Sequence, residues 1–144
     1  MAAHKILLVE DNADDVELTV HAFRKAWSGE DMIIVARDGE TALDYLFGSQ
    51  SREGAPLCPS LVLLDLNLPG INGHEVLRRL RERPATRRLP VVVMTTSDDE
   101  ADVLRSYDLG VNSYVRKPVE FRDFTSLVQQ LGLYWLVTNI RAPQ

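Results

Sequence analysis

Five short, largely apolar runs alternate along this chain with five stretches of amphipathic helical periodicity. The runs cover residues 5–9, 32–36, 61–64, 90–94 and 113–116. Short apolar runs bounded by turn residues are typical of strands that are buried on both faces of a sheet. Strict alternation with helices predicts parallel strands joined by right-handed crossovers, with helices covering both faces. The sequence therefore predicts a doubly wound α/β fold with a five-stranded parallel sheet.

Local signals indicate where several of these elements begin and end. Asn12, followed by acidic residues, predicts the start of the first helix, and Ser28 and Gly29 predict its end. Pro84 is expected to stop the third helix, because proline lacks the N–H that a helix interior needs. Residues 48–59 are rich in Gly, Ser and Pro, and they predict a long loop before the third strand.

Length, charge and composition limit the class of protein. A chain of 144 residues suits one domain. Its net charge of −5 argues against nucleic acid or an acidic membrane as the main partner. No apolar run approaches the ~20 residues of a membrane span, and the first residues lack a secretory signal. With a single cysteine, Cys58, an internal disulfide is excluded, and a cytoplasmic location is expected.

Polar residues follow four of the five predicted strands. Glu10 and Asp11 come after the first strand, Asp65 after the third, Thr95 at the end of the fourth and Lys117 after the fifth. Each has an ordinary interpretation by itself, as a loop acid, a strand residue or a surface lysine. In an open α/β sheet, however, the carboxyl ends of the strands share one edge, and ligands bind there. We therefore expect all five side chains to surround one shallow cleft.

Clustered carboxylates repel one another, and a nearby cation would relieve that repulsion. Mg²⁺ suits this set because it prefers oxygen ligands, keeps some of its water and binds phosphate oxygens well. Glu10, Asp11 and Asp65 would supply carboxylate oxygens, together with the backbone carbonyl of Asn67. Asp65 is then the candidate nucleophile for a phosphoryl group, and the product would be an aspartyl phosphate.

Two other functions use the same features. An aspartate-nucleophile phosphohydrolase usually has a second Asp two residues after the nucleophile, but this chain has Asn67 there, which is a poor proton donor. Turnover of external substrates is therefore not expected, so the chain is not predicted to be an enzyme. Slow self-hydrolysis of a phosphoaspartate stays open, with Asn67 and Ser97 beside the path of the water. The second alternative is a binding module that works without phosphorylation.

Four motifs together resemble the receiver domain of two-component response regulators. They are VEDN after the first strand, DLNLPGINGHE around Asp65, PVVVMTTS at the fourth strand and GVNSYVRKP at the fifth. Their order and spacing match over about residues 5–131. The resemblance implies a flavodoxin-like receiver fold and a Mg²⁺-dependent phosphoacceptor that takes its phosphoryl group from a histidine kinase onto Asp65.

The resemblance also implies a role for each remaining site residue. Those roles are the acidic metal pair for Glu10 and Asp11, the switch hydroxyl for Thr95, the switch aromatic for Tyr114, the phosphate contact for Lys117, and a cis peptide between Lys117 and Pro118. Proline is compatible with this isomer, because its tertiary amide has only a small preference for trans.

The resemblance implies a single domain with a core from about residue 5 to 131. The chain departs from a minimal receiver in its long loop before the third strand and in its tail, an extension over residues 132–144. Both features resemble the small single-domain receivers that are paired with bacterial phytochromes, so a bacteriophytochrome kinase is an expected partner. The tail carries large apolar residues that would either fold back on the domain or bury against a second copy. We expect a homodimer whose contacts include Leu131, Tyr134, Trp135 and Val137.

Overall fold

The computed structural model describes residues 4–27, 32–48 and 56–143. The strands are β1 (Lys5–Val9), β2 (Met32–Ala36), β3 (Leu61–Leu64), β4 (Val91–Thr95) and β5 (Ser113–Arg116). The helices are α1 (Ala13–Ala26), α2 (Gly39–Phe47), α3 (Gly73–Glu82), α4 (Glu100–Asp108) and α5 (Phe121–Gly132). All five strands are parallel and lie in the order β2-β1-β3-β4-β5, which confirms the predicted fold. None of the helices in the described ranges has the length and apolar character that a membrane crossing requires.

The core is divided by the sheet into two apolar clusters. Successive residues of a strand point to opposite faces, so Leu7 and Val9 of β1 join one cluster while Ile6 and Leu8 join the other. The first cluster packs against α2 and α3, and the second packs against α1 and α5. Because both faces are covered, the exposed edge that remains for chemistry is the one at the carboxyl ends of the strands.

Side-chain caps begin four of the helices directly after loops at this edge. The caps are Asn12, Asp38, Asn72 and Asp99, whose Oδ1 atoms accept the N–H of Asp15 (3.0 Å), Thr41 (2.7 Å), Glu75 (3.0 Å) and Ala101 (2.9 Å) respectively. The predicted helix start at Asn12 is thus confirmed. α3 ends at Glu82, two residues before Pro84, as predicted. The predicted end of α1 at Ser28 and Gly29 lies outside the described residues, as does most of the predicted loop, over residues 49–55.

β4 is shifted by one residue from its predicted range of 90–94. Pro90 has no N–H to donate to a sheet, although its carbonyl accepts the N–H of Val62 at 2.9 Å. Thr95 instead lies in register with Arg116 of β5, and its β-branched side chain suits a strand. Thr95 is therefore the last residue of the strand.

The tail continues α5 as a π-helical segment, Leu133–Thr138, and folds back on the domain. Leu136 is buried in the second core cluster, and Leu131 and Trp135 pack against it. Further on, Arg141 donates to the carbonyl of Pro59 at 3.0 Å, just before β3. The extension is thus attached to the domain at two places, and the apolar side chains of Tyr134 and Val137 are left exposed.

Candidate functional site

Backbone hydrogen bonds carry the parallel ladder one residue past three of the strands. The bonds run from the N–H of Glu10 to the carbonyl of Ala36 (3.0 Å), from Asp65 to Val9 (3.0 Å) and from Lys117 to Thr95 (2.7 Å). The backbone positions of these residues are therefore set by the sheet itself rather than by flexible loops. As expected from the topology, Glu10, Asp65, Thr95 and Lys117 meet at one edge.

The ammonium group of Lys117 lies at the centre of the site. Its Nζ atom is 2.6 Å from Glu10 Oε1, 2.8 Å from Asp15 Oδ2 and 2.9 Å from Asp65 Oδ2. Only 2% of Glu10, 6% of Asp65 and 7% of Lys117 is exposed to solvent. Charges this deeply buried are tolerated only when they are paired, so each group holds the others in place.

Burial and mutual contact shift the pKa of all three groups. Burial raises the pKa of Glu10 to about 7, and the nearby charge of Asp65 adds to this effect against the opposing hydrogen bond from Lys117. Burial acts in the same direction on Asp65, but hydrogen bonds from Lys117 and Glu10 outweigh it and lower its pKa. Burial would lower the pKa of Lys117, yet its bonds to the three carboxylates raise it. Asp65 is thus ionised at neutral pH, as a nucleophile must be.

An open cleft of about 470 Å³ is lined by Leu66 and Asn67, the two residues that follow Asp65, and by Asp11 among others. The N–H of Asn67 donates to Asp65 Oδ1 at 3.1 Å, which fixes the orientation of that carboxylate. In the described part of the chain, no three His, Cys, Asp or Glu side chains are arranged to hold a metal by themselves. Mg²⁺ nevertheless fits the donors at this edge, since it is usually bound by one or two carboxylates together with water and phosphate oxygens.

The side-chain hydroxyl of Thr95 is buried and unpaired. Its side chain is 0% exposed, and its Oγ1 has no hydrogen-bond partner. An unsatisfied buried hydroxyl costs free energy, so it is suited to a ligand oxygen that arrives at this edge. Tyr114, the predicted switch aromatic, packs at the margin of the first core cluster and donates its hydroxyl to the carbonyl of Ser97 at 2.8 Å.

The peptide bond between Lys117 and Pro118 is trans, so the prediction of a cis bond is wrong. The prediction came from the resemblance, not from local chemistry. An X–Pro amide prefers trans by only ~0.5–1 kcal/mol, so both isomers are open to it and the sequence does not decide between them.

Sequence reasoning missed Asp15 as a site residue. It was interpreted only as an acid favoured by the dipole of α1, yet its carboxylate reaches Lys117 across 102 positions of sequence. The signal that pointed to it was its place in the first turn of a helix that follows a site loop. Such a position also brings a side chain to the carboxyl edge of the sheet.

A family model described as the response regulator receiver domain matches residues 6–129. The chain belongs to this family. It is a response regulator of a two-component phosphorelay, and receiver domains are phosphoacceptors rather than enzymes. The match covers every residue of the site from Glu10 to Lys117.

Several relatives resemble the chain along nearly its whole length. The probable methanogenesis regulatory protein FilR2 of Methanothrix harundinacea is 44% identical over 96% of this chain and 86% of its own. Response regulator Rcp1 of Synechocystis is 41% identical over 92% of this chain and 89% of its own. The crystal structure of Rcp1 in its Mn²⁺-bound form has a TM-score of 0.88 at 39% identity, covering 97% of this chain and 99% of that one.

A relative has also been solved with its phosphoryl group in place. The phosphorylated cyanobacterial phytochrome response regulator RcpA has a TM-score of 0.92 at 37% identity. The alignment covers 99% of this chain and 100% of that chain. The family therefore includes single-domain, phytochrome-associated regulators of the same length class, as the sequence resemblance predicted.

Proposed function

We propose that Asp65 accepts a phosphoryl group from the phosphohistidine of a histidine kinase. A carboxylate oxygen of Asp65 attacks phosphorus, the P–N bond of the donor breaks, and the histidine leaves with the electron pair. The product is an acyl phosphate on Asp65. The observation that carries this proposal is the buried Asp65 side chain, whose Oδ2 accepts a hydrogen bond from Lys117 at 2.9 Å at the carboxyl edge of the sheet.

The surrounding residues suit this transfer. Lys117 would follow the developing charge from the carboxylate to a phosphoryl oxygen, and Thr95 would donate its unpartnered hydroxyl to another. Glu10, Asp11 and Asp65, with the carbonyl of Asn67, would hold Mg²⁺. Bound there, Mg²⁺ supplies positive charge to the phosphoryl oxygens.

We expect wild-type protein to gain one phosphoryl group when it is incubated with acetyl phosphate and Mg²⁺, and Asp65→Asn to gain none. Intact-mass spectrometry measures both. Asp44→Asn, at an exposed position of α2, is the control and should behave as wild type. If wild type gains no mass and also fails to bind beryllofluoride, the chain is a binding module that works without phosphorylation.

The same site argues against turnover of external substrates. Asn67 occupies the position where an aspartate phosphohydrolase needs a proton donor, and Ser97 directs its hydroxyl to Asp102 at 2.7 Å. We propose instead that the phosphoaspartate is lost only by slow self-hydrolysis. The decay of the phosphorylated mass after removal of acetyl phosphate measures that rate.

Phosphorylation is proposed to act through Thr95 and Tyr114. When Thr95 turns towards a phosphoryl oxygen, Tyr114 would fill the space that it leaves, and α4, β5 and α5 would repack as a two-state surface. Thr95→Ala should still accept phosphate but lose this change, read as the beryllofluoride-induced amide NMR shifts over α4 and β5. Thr96→Ala, at the exposed neighbouring residue, is the control. Equal shifts in wild type and Thr95→Ala would contradict the switch.

The tail is proposed to form a homodimer contact. Leu133, Tyr134 and Val137 are 54%, 49% and 58% exposed, which is unusual for neighbouring apolar side chains. Of the four residues first expected at the contact, Leu131 and Trp135 already pack against the core, so Tyr134 and Val137 are the stronger candidates.

The dimer is tested best with point variants, because truncation after Leu131 would also remove the buried Leu136. The triple variant Leu133→Ser, Tyr134→Ser, Val137→Ser should sediment as a monomer where wild type sediments as a dimer. Leu104→Ser with Tyr107→Ser, at comparably exposed positions of α4, is the control and should stay dimeric. A wild type that is monomeric at all concentrations would contradict the proposal.

The kinase is proposed to be a bacteriophytochrome acting in the cytoplasm. Support comes from RcpA, a phytochrome response regulator that covers 99% of this chain. Phosphotransfer from a purified bacteriophytochrome kinase should be faster than from a kinase of another pathway, and the transferred ³²P measures the difference.

A further inference from the structure

We propose that Asp15 is a positioning residue of the phosphorylation site, which holds the Lys117 ammonium in place while Asp65 changes its chemical state. This inference rests on the proposed phosphoacceptor function and adds to it a residue from outside the strand ends. Asp15 lies on α1, whereas Glu10, Asp65 and Lys117 each follow a strand directly.

The Lys117 ammonium group has three carboxylate partners. An ammonium group has three N–H donors. Lys117 donates to Asp15 Oδ2 at 2.8 Å and to Asp65 Oδ2 at 2.9 Å, and its Nζ forms an ion pair with Glu10 Oε1 at 2.6 Å. Asp15 is therefore one of the two carboxylates that accept a hydrogen bond from the ammonium, and one of its three ion-pair partners.

The three carboxylates that contact Lys117 change in different ways during phosphotransfer. The Asp65 carboxylate becomes an acyl phosphate, and Glu10 is a proposed metal ligand. Both therefore exchange their contact with Lys117 for new partners. Asp15 takes part in neither change, so its bond to Lys117 can persist from the free state to the phosphorylated one.

The backbone of Asp15 is fixed on both sides, which suits an anchor. Its N–H donates to the cap Asn12 at 3.0 Å, and its carbonyl accepts the hydroxyl of Thr19 at 2.7 Å. Thr19 is 0% exposed, so this part of α1 is held against the core. The neighbouring Asp14 is exposed and shares the same helical turn, which makes it a matched control.

A persistent anchor fits the demands of the transfer. Small misplacements of a charged group at a reacting centre reduce rates steeply, and a lysine side chain is flexible. With Asp15 in place, Lys117 has only to shift from a carboxylate oxygen to a phosphoryl oxygen. Without it, the ammonium would have to be ordered again at every transfer.

The experiment compares Asp15→Ala, Asp15→Asn and the control Asp14→Ala. We expect Asp15→Ala to slow phosphorylation by acetyl phosphate about tenfold, because the anchor is lost. Asp15→Asn should recover part of the rate, because its amide oxygen still accepts a hydrogen bond. Asp14→Ala should match wild type. The rate is followed by intact mass.

A second measurement separates positioning from a merely structural role. In ¹⁵N NMR, the Lys117 ammonium signal should be protected from solvent exchange in wild type and in Asp14→Ala, both before and after beryllofluoride is added. In Asp15→Ala this protection should be lost, while the amide spectrum of the core is unchanged. Protection and rate equal to wild type in Asp15→Ala would overturn the proposal. If wild type itself is not phosphorylated, the proposed function fails instead, and the NMR measurement still tests the anchor.

Discussion

Replacing Lys117 with methionine is expected to lower the free energy of unfolding by about 3–5 kcal/mol at pH 8, the usual cost of removing one partner from a buried ion pair. The substitution keeps an apolar side chain of similar length but removes the cation from three carboxylates. Glu10 and Asp65 would be left almost completely buried without a counter-charge. Urea denaturation of wild type and variant measures the difference.

The loss should depend on pH in a defined direction. Without Lys117, burial and mutual repulsion raise the pKa of Glu10 and Asp65 in the folded state above their unfolded values. Glu10 already has a raised pKa of about 7 with the cation present. The folded variant then binds more protons than the unfolded chain, so its stability rises as pH falls. The difference in unfolding free energy between wild type and Lys117→Met should therefore become smaller as the pH falls from 8 to 5.

Arg116→Met is the matched control for this prediction. Arg116 immediately precedes Lys117, and its ion pair with Asp98, at 3.0 Å, is exposed on both sides. Exposed pairs contribute only ~0–1 kcal/mol, so the control should stay close to wild type at both pH values. A Lys117→Met variant as stable as this control at pH 8 would show that the carboxylates do not depend on the ammonium.

Gly73→Ala is expected to lower the free energy of unfolding by about 3 kcal/mol, at the upper end of the usual range for overpacking. Gly73 is the first residue of α3, and a Cβ there would clash with the backbone carbonyl oxygen of Asp65 and lie 2.8 Å from the Cα of Leu66. Both atoms are backbone, so neither a rotamer change nor a small side-chain shift relieves the clash. Thermal or urea unfolding measures the loss, and phosphorylation of Asp65 should slow as its loop is displaced.

Gly39→Ala is the control, because Gly39 is the first residue of α2. Its added Cβ would lie 2.6 Å from Ile71 Cγ1 and 2.8 Å from Val76 Cγ2, which are side-chain atoms. Since side chains adjust and alanine favours a helix, we expect a cost of only about 1 kcal/mol. If the two variants lose equal stability, the close approach of α3 to Asp65 is not the cause.

The sequence was sufficient for the fold because the fold depends on local pattern. Each strand is a short apolar run, and each helix has its own apolar periodicity. Only the range of β4 was misjudged, by one residue, because an initial proline such as Pro90 resembles a strand residue in apolar character but cannot donate to the sheet.

The main residues of the site were also predictable, because parallel strands bring their carboxyl ends to one edge. Once the strands were identified, Asp65, Thr95 and Lys117 had to be neighbours. Other features could not be predicted in this way. The bond from Asp15 to Lys117 depends on the height of α1 above the sheet, which is set by packing in the second core cluster.

The tail also combines features that the sequence predicts with features that only the tertiary structure decides. The large apolar residues of the tail predict that it is covered, either by the domain or by a second copy of the chain. Which of them are covered was decided by tertiary packing, since Leu136 entered the core while Val137 stayed exposed. The sequence by itself thus determined the elements, their order and the chemistry at the strand ends. Contacts between distant elements were decided only by the folded structure, because they depend on how helices pack and not on any local pattern.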